Sequence, residues 1–266
     1  MPSAGPLMIR MDDVGAASKR HEVYGLTRLP VGRLRIPFPG NWLWLKYVPP
    51  IKRWGPYREL VAPEWYAILE ALTRAGARMT VGVTAAWVED DATLTPFPRK
   101  FPDAARAIRA GVDAGLLEVA NHGLTHCLLA DRAFRPRLFS GNRSSHREFY
   151  DFLPPEAQEA NIRRAQAILS DAFGVAIVTL VPPGNLLQPV TAELARRHGV
   201  RYLSYRATTT RDGILPVVGD DAGVVFHDRD VVLGGAPWLR ARLEAVRGRE
   251  VVFVRELGER LATGVL

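Results

Sequence analysis

The sequence predicts an α/β fold, a distorted (β/α) barrel of about seven parallel strands, on three observations. Short apolar runs alternate with helical patterns along the chain, which is the signature of repeated βα units. Seven such runs fit a barrel better than an open sheet. Four of them end in polar or turn residues of one kind, as the carboxyl rim of a parallel α/β fold requires.

The first strand is read at 7–11. Trp65, Ile68, Leu69 and Leu72 recur at i, i+3, i+4 and i+7 and form one helix face, with Pro63 near its start and Gly76 just past its end. A strand at 79–84 and a helix at about 103–114 follow, then a strand at 116–120. Pro154 opens a longer helix carrying Ile162, Ala165, Ile168 and Leu169. Next come a strand at 176–181, a helix through Val190 and Leu194 ending at Gly199, and short strands at 201–204 and 224–226. Pro237 starts a helix with Leu239, Leu243 and Val246 on one face, and 251–254 closes the series. Two stretches break the rhythm, 19–62 and 127–153. Each is too long for an ordinary connection and reads as an insertion in a single domain spanning 1–266.

Composition narrows the function classes. The chain has 266 residues, 47% apolar and 24% charged, enough to build an ordinary core. Its one cysteine, Cys127, excludes an intramolecular disulfide. No export signal and no apolar run near the ~20 residues of a membrane span are visible, so the expected location is the cytoplasm. The formal charge is +7, but only four of the 35 basic residues are lysines, the arginines are scattered, and no nucleic-acid motif accompanies them. Nucleic acid is therefore not an expected partner. Self-association stays open.

The four polar strand ends are Asp12-Asp13, Asn121-His122-Gly123-Leu124-Thr125-His126, Pro182-Pro183-Gly184-Asn185 and His227-Asp228. His122 and His126, four apart on a turn, can face one ion, and a carboxylate completes a three-ligand set for zinc or another divalent metal. Adjacent aspartates point to opposite sides of an extended chain. Where the chain bends, one can bind metal while the other faces water. In the second insertion, Arg143, His146 and Glu148 are candidate substrate contacts over the rim. Trp42, Trp44 and Tyr47 of the first either stack on a sugar or lipid or lie buried in the insertion's own core or a dimer contact.

These residues resemble the polysaccharide deacetylases, carbohydrate esterase family four. Arg-Met-Asp12-Asp13-Val-Gly is similar to the family's aspartate-pair motif. Asn-His122-Gly-Leu-Thr-His126 is similar to its His-Ser/Thr-x-x-His motif, with Gly123 in place of Ser or Thr. Val-Pro182-Pro183-Gly184-Asn185 resembles Arg-x-Pro-Tyr, and Val-Val-Phe-His227 the final strand ending in His. The tail, a helix followed by 249–257, resembles the family's last helix and strand. The resemblance implies a seven-stranded distorted barrel and metal-assisted deacetylation. It implies Asp12 as general base, Asp13, His122 and His126 as metal ligands, His227 as general acid, and the Gly184 N–H as an oxyanion donor. Pro183 and Asn185 fall in its substrate-binding motif. The expected substrate is an N-acetylated sugar or glycan intermediate.

Two departures stand out. The family's base-orienting arginine falls at Val181, leaving Arg10 or Arg143 to replace it, and no Asp-x-x-Asp-Trp motif is recognisable between Tyr202 and Val224. Two other readings follow: hydrolysis of another non-peptide C–N bond such as a ureide, and a non-catalytic carbohydrate-binding protein on the same scaffold.

Overall fold

The computed structural model describes residues 5–20, 23–55, 57–129, 139, 148–150 and 153–265. Eight parallel strands make the central sheet: β1 Leu7–Val14, β2 Met79–Val83, β3 Leu117–Asn121, β4 Thr179–Leu180, β5 Tyr202–Tyr205, β6 Val217–Gly219, β7 Gly223–His227 and β8 Val251–Val252. Their order is β6-β5-β4-β3-β2-β1-β7, with β8 paired to the start of β1. The sheet curls into a distorted barrel. Between its ends the chain runs from β6 through the turn Asp220–Ala222 straight into β7, so covalent continuity bridges a seam that no ladder closes among the described residues.

All seven expected strands are present. The eighth, β6, is three residues long, too short for periodicity to reveal. The strands read as near-continuous apolar runs because both faces are covered, and every residue of β1, β2 and β3 is buried.

Helices cover the outer face: α1 Ala62–Ala75, α2 Pro102–Asp113, α3 Pro155–Phe173, α4 Pro189–Arg197, α5 Asp228–Glu244 and α6 Val254–Thr263. α1 buries Trp65, Ile68 and Leu72 and ends at Gly76 in the left-handed conformation (φ 60°), which glycine adopts without a Cβ penalty. The helix expected from Pro237 begins earlier, at Asp228. Gly235 (φ 63°) breaks it, and Pro237 opens its second half. α6 extends the tail beyond the expected last strand. Among the described residues no helix is long and apolar enough to cross a membrane.

The insertion at 19–62 builds two small antiparallel pairs, Tyr24–Gly25 with Lys52–Trp54 and Arg28–Val31 with Leu34–Pro37. A buried ion triad staples its two ends together. Lys19 Nζ donates to Glu59 (2.8 Å) and to Asp228, and all three side chains are buried. Gly15 N also donates to Glu59, at 3.0 Å. The insertion is thereby fastened against the end of β7. Trp42 and Trp44 are 56% and 65% exposed, so burial in the insertion's own core does not describe them.

Candidate active site

A bulge near the end of β1 separates the two aspartates. The β1–β2 register shifts between Met11 and Val14, and Asp13 takes a left-handed φ of 70°. Asp12 consequently stays with the sheet, paired in register with His227 on β7, while Asp13 turns to the loop that follows β3. There Asp13 Oδ1 lies 3.1 Å from Nε2 of both His122 and His126. All three residues are buried, and one donor atom from each falls within 4.8 Å of the others.

The outer hydrogen bonds orient the two imidazoles. His122 Nδ1–H donates to the carbonyl of Val181 at 2.7 Å, which fixes its tautomer and leaves a lone pair on Nε2. His126 Nδ1 faces Ser18 Oγ at 3.0 Å, so donation to the hydroxyl presents Nε2 in the same way. Two lone-pair nitrogens then converge on one carboxylate oxygen. That arrangement is repulsive unless a proton or a cation stands among them. Separations near 3 Å are also what two ligands ~2.0–2.2 Å from one zinc-sized ion span. The donor set therefore fits a divalent metal. Burial alone would raise the Asp13 carboxyl. The charge of His227 and the contacts with His122 and His126 outweigh it and hold the group well below the usual carboxylate range.

Glu148 was expected over the rim as a substrate contact, and the geometry corrects this. It is fully buried and accepts from the backbone N–H groups of Leu124 (3.0 Å), Thr125 (3.1 Å) and His126 (2.9 Å) and from Asn161 Nδ2 (3.0 Å). It braces the histidine loop, including His126 at φ 58°. Burial pushes its carboxyl up to about 7 against the pull of those four donors. The brace also accounts for Gly123. This residue has φ 82°, and a Cβ there would lie 2.3 Å from Glu148 Oε2, so the family's Ser or Thr has no room. Arg143 and His146 lie outside the described residues.

Arg10 takes the place left by Val181. On β1 it shares a face with Asp12, two residues on. It donates from Nε to Asp12 Oδ1 (2.9 Å) and from Nη2 to Oδ2 (3.0 Å), with further bonds to Ser204 Oγ (2.6 Å) and Asp220 (3.1 Å). Its side chain is fully buried and spans the barrel from β1 to β5 and the β6–β7 turn.

His227 is held by Asp230, whose Oδ2 accepts from the His227 backbone N–H at 3.0 Å and lies 3.8 Å from Nδ1. Burial lowers the imidazole's proton affinity, but the charge of Asp13, the nearby Asp230 carboxylate and the charge of Asp12 outweigh it and push it up to about 9. Gly184 (φ 67°) occupies the turn Pro183–Asn185. Pro183 is buried beside Gly123, and Asn185 Oδ1 accepts from Arg206 N at 2.9 Å.

Sequence reasoning did not anticipate the wall that the first insertion adds. Trp54 packs edge-on against His227 (centroids 5.1 Å apart) and Tyr57 (5.8 Å) and stacks on Tyr24 (6.1 Å). The Arg229 guanidinium lies 3.7 Å above its ring centre. Tyr57 Oη reaches toward Asp13 Oδ2 at 3.5 Å. Nothing in the spacing of these aromatics marks them, because they reach the rim only through the insertion's path.

Fold and site together define a barrel-type hydrolase scaffold with an Asp–His–His donor set at its carboxyl rim. The chain belongs to the polysaccharide deacetylase family: the family's sequence profile matches residues 59–203, more than half of its length. No curated protein matches it. Among solved structures, one assigned as a polysaccharide deacetylase from Mycobacterium smegmatis superposes with a TM-score of 0.53 at 15% identity, over 76% of this chain and 78% of that one. A family 4 carbohydrate esterase from Streptomyces lividans, in complex with acetate, aligns over 94% of this chain and 92% of its own with a TM-score of 0.46 and 15% identity. A family 4 pseudoenzyme from Bacillus anthracis aligns over 75% and 62% with a TM-score of 0.48 and 16% identity.

Proposed function

We propose that this protein is a divalent-metal-dependent hydrolase that removes the N-acetyl group from an amino sugar or sugar conjugate. The observation that carries the reading is the convergence of Asp13, His122 and His126, with both imidazoles oriented from outside to offer lone pairs. Asp13, His122 and His126 would hold the cation, zinc first among the candidates by donor type. When bound, it polarises the acyl carbonyl and acidifies water.

The chain's own residues supply the rest. Asp12 takes the proton of the attacking water, and the bonds from Arg10 Nε and Nη2 fix its carboxylate while leaving lone pairs free. His227, its register partner on the next strand, delivers a proton to the departing amine. The Gly184 N–H is the backbone donor for the developing oxyanion. Trp54 and Tyr57 cover one side of the site and limit water. The intact donor set and the Arg10–Asp12 pair favour catalysis over a retired, carbohydrate-binding scaffold.

The test is acetate release from a panel of N-acetylated amino-sugar conjugates. Release should stop when the protein is stripped with a chelator and return when a divalent ion is added. Metal-loaded protein that releases no acetate from any of them overturns the assignment, and turnover of a ureide by the same preparation would redirect it.

The pH profile gives a second check. The active form of His227 is protonated, so kcat should fall as pH rises through its pKa. A bound dication offsets the charge of Asp13 and brings that limb below about 9. Asp230→Asn removes a negative charge that favours the proton and should move the basic limb to lower pH, with the acidic limb unchanged. An unmoved basic limb would take Asp230 out of this role.

A further inference from the structure

The outer face of the first insertion is not used by the chemistry above. Leu34 (69% exposed), Ile36 (47%), Trp42 (56%), Leu43 (43%) and Trp44 (65%) are exposed there, Trp42 also meeting the edge of Phe139 at 6.2 Å between centroids. They belong to one tied unit. The hairpin formed by Arg28–Val31 and Leu34–Pro37 is closed at its base by Phe38 N to Thr27 O (2.9 Å) and Gly40 N to Leu26 O (3.1 Å). The Trp42-Leu43-Trp44 turn begins two residues later, anchored by Trp42 N to Pro39 O at 2.9 Å. Scattered single apolar residues on a surface mean little, but five exposed ones within eleven residues of one tied unit call for an occupant.

The charge of the segment says which. From Val23 to Arg58 the sequence holds seven basic residues and no acidic one; Lys46 is buried and Arg58 pairs with Glu64, which leaves five exposed cations. Arg28, Arg33 and Arg35 are exposed on the hairpin itself, and Lys52 and Arg53 follow on the pair below. We propose that this face docks the protein on an anionic lipid surface, with Leu34, Ile36, Trp42, Leu43 and Trp44 entering the interface and the arginines meeting headgroup phosphates.

Indoles, aliphatic side chains and basic residues without an acid are the composition that lies in a bilayer interface. A second copy of the chain fits poorly, because a two-fold contact would set this positive face against itself. A nucleic acid would satisfy the arginines and stack on the indoles, but it gives Leu34, Ile36 and Leu43 no partner. The same insertion carries Trp54 and Tyr57 on its inner side, and the Lys19–Glu59–Asp228 triad fastens its ends to the catalytic strand. Docking therefore holds the rim beside the membrane. It does not depend on which acyl group is removed.

The test is co-sedimentation of the full chain with large unilamellar vesicles of phosphatidylcholine, with and without phosphatidylglycerol. The protein should partition onto phosphatidylglycerol vesicles in ~0.1 M salt and come off at several-fold higher salt, where screening shortens the reach of the charges. Arg33→Gln and Arg35→Gln should each weaken partition about five-fold, the equivalent of roughly 1 kcal/mol per basic residue. Trp42→Ser with Trp44→Ser should weaken it at least ~10-fold. These side chains are exposed, and the wild type gives an independent reading through a blue shift of indole emission on vesicle addition. Absence of partition, or partition unchanged in both sets of variants, overturns the proposal. A concentration-dependent dimer lost in Trp44→Ser without vesicle binding would assign the face to a second copy. Oligonucleotide binding that excludes vesicles would assign it to nucleic acid.

Discussion

Arg10→Met should lower kcat for acetate release by ~10²–10⁴, the range spanned by loss of a general base, and Asp12→Asn should do the same. The double variant should lose little more than either alone, because both changes remove one unit: a carboxylate and the planar fork that aims it. The bonds from Nε and Nη2 define the rotation of the Asp12 carboxylate, and Ser204 and Asp220 fix the guanidinium from the opposite side of the barrel. The change also leaves a buried carboxylate without its counter-charge, which costs about 3–5 kcal/mol. For a chain of this size that is a fall in Tm of roughly 10 °C. Arg10→Lys should recover part of the stability and little of the rate, since an ammonium cannot make the paired contact. Calorimetry and initial rates on the three single variants and the double separate the two effects. If Arg10→Met kept kcat within about three-fold of wild type while the protein stayed folded, orientation of the base would have to come from elsewhere.

Glu148→Gln should weaken metal affinity by ~10–100-fold, although the residue touches no ligand side chain directly. Its two oxygens accept from three consecutive backbone N–H groups and from Asn161. An amide offers one oxygen, and its NH₂ group would face donors. At least one buried N–H then loses its acceptor, at about 1–3 kcal/mol each. The loop carries His126 at a left-handed φ, and its other side-chain acceptor, Asn121 Oδ1, reaches only the Gly123 N–H. Metal titration by calorimetry reads the affinity, and thermal unfolding of the stripped protein reads the stability. A variant that binds metal as tightly as wild type would reduce Glu148 to a packing residue.

The convergence of Asp13, His122 and His126 was readable because its parts are local. Two histidines four apart follow one apolar run and an aspartate pair follows another, and a parallel fold brings strand ends together. Arg10 was half readable. Period-two alternation puts it on the face of Asp12, but only the structure shows the bonds it makes there. Glu148 was misread because an acid in a long insertion looks like a surface group until its backbone partners are known. The Lys19–Glu59–Asp228 triad was invisible for another reason: its members are 40 and 209 residues apart, and no local pattern links them. β6 failed on length, and the first half of α5 failed because Gly234-Gly235-Ala236-Pro237 reads as a start when it is an internal break.

The close approach at Gly123 has an evolutionary corollary. A hydroxymethyl at that position and a carboxylate at 148 compete for the same space, so the hydroxymethyl cannot enter while the acid remains in place. A lineage moving between the two solutions must pass through a chain with both gone or with the loop displaced. Among relatives, the pair should segregate as alternatives, glycine with the acid or serine and threonine without it, and a chain carrying serine together with the acid would have to fold this loop differently.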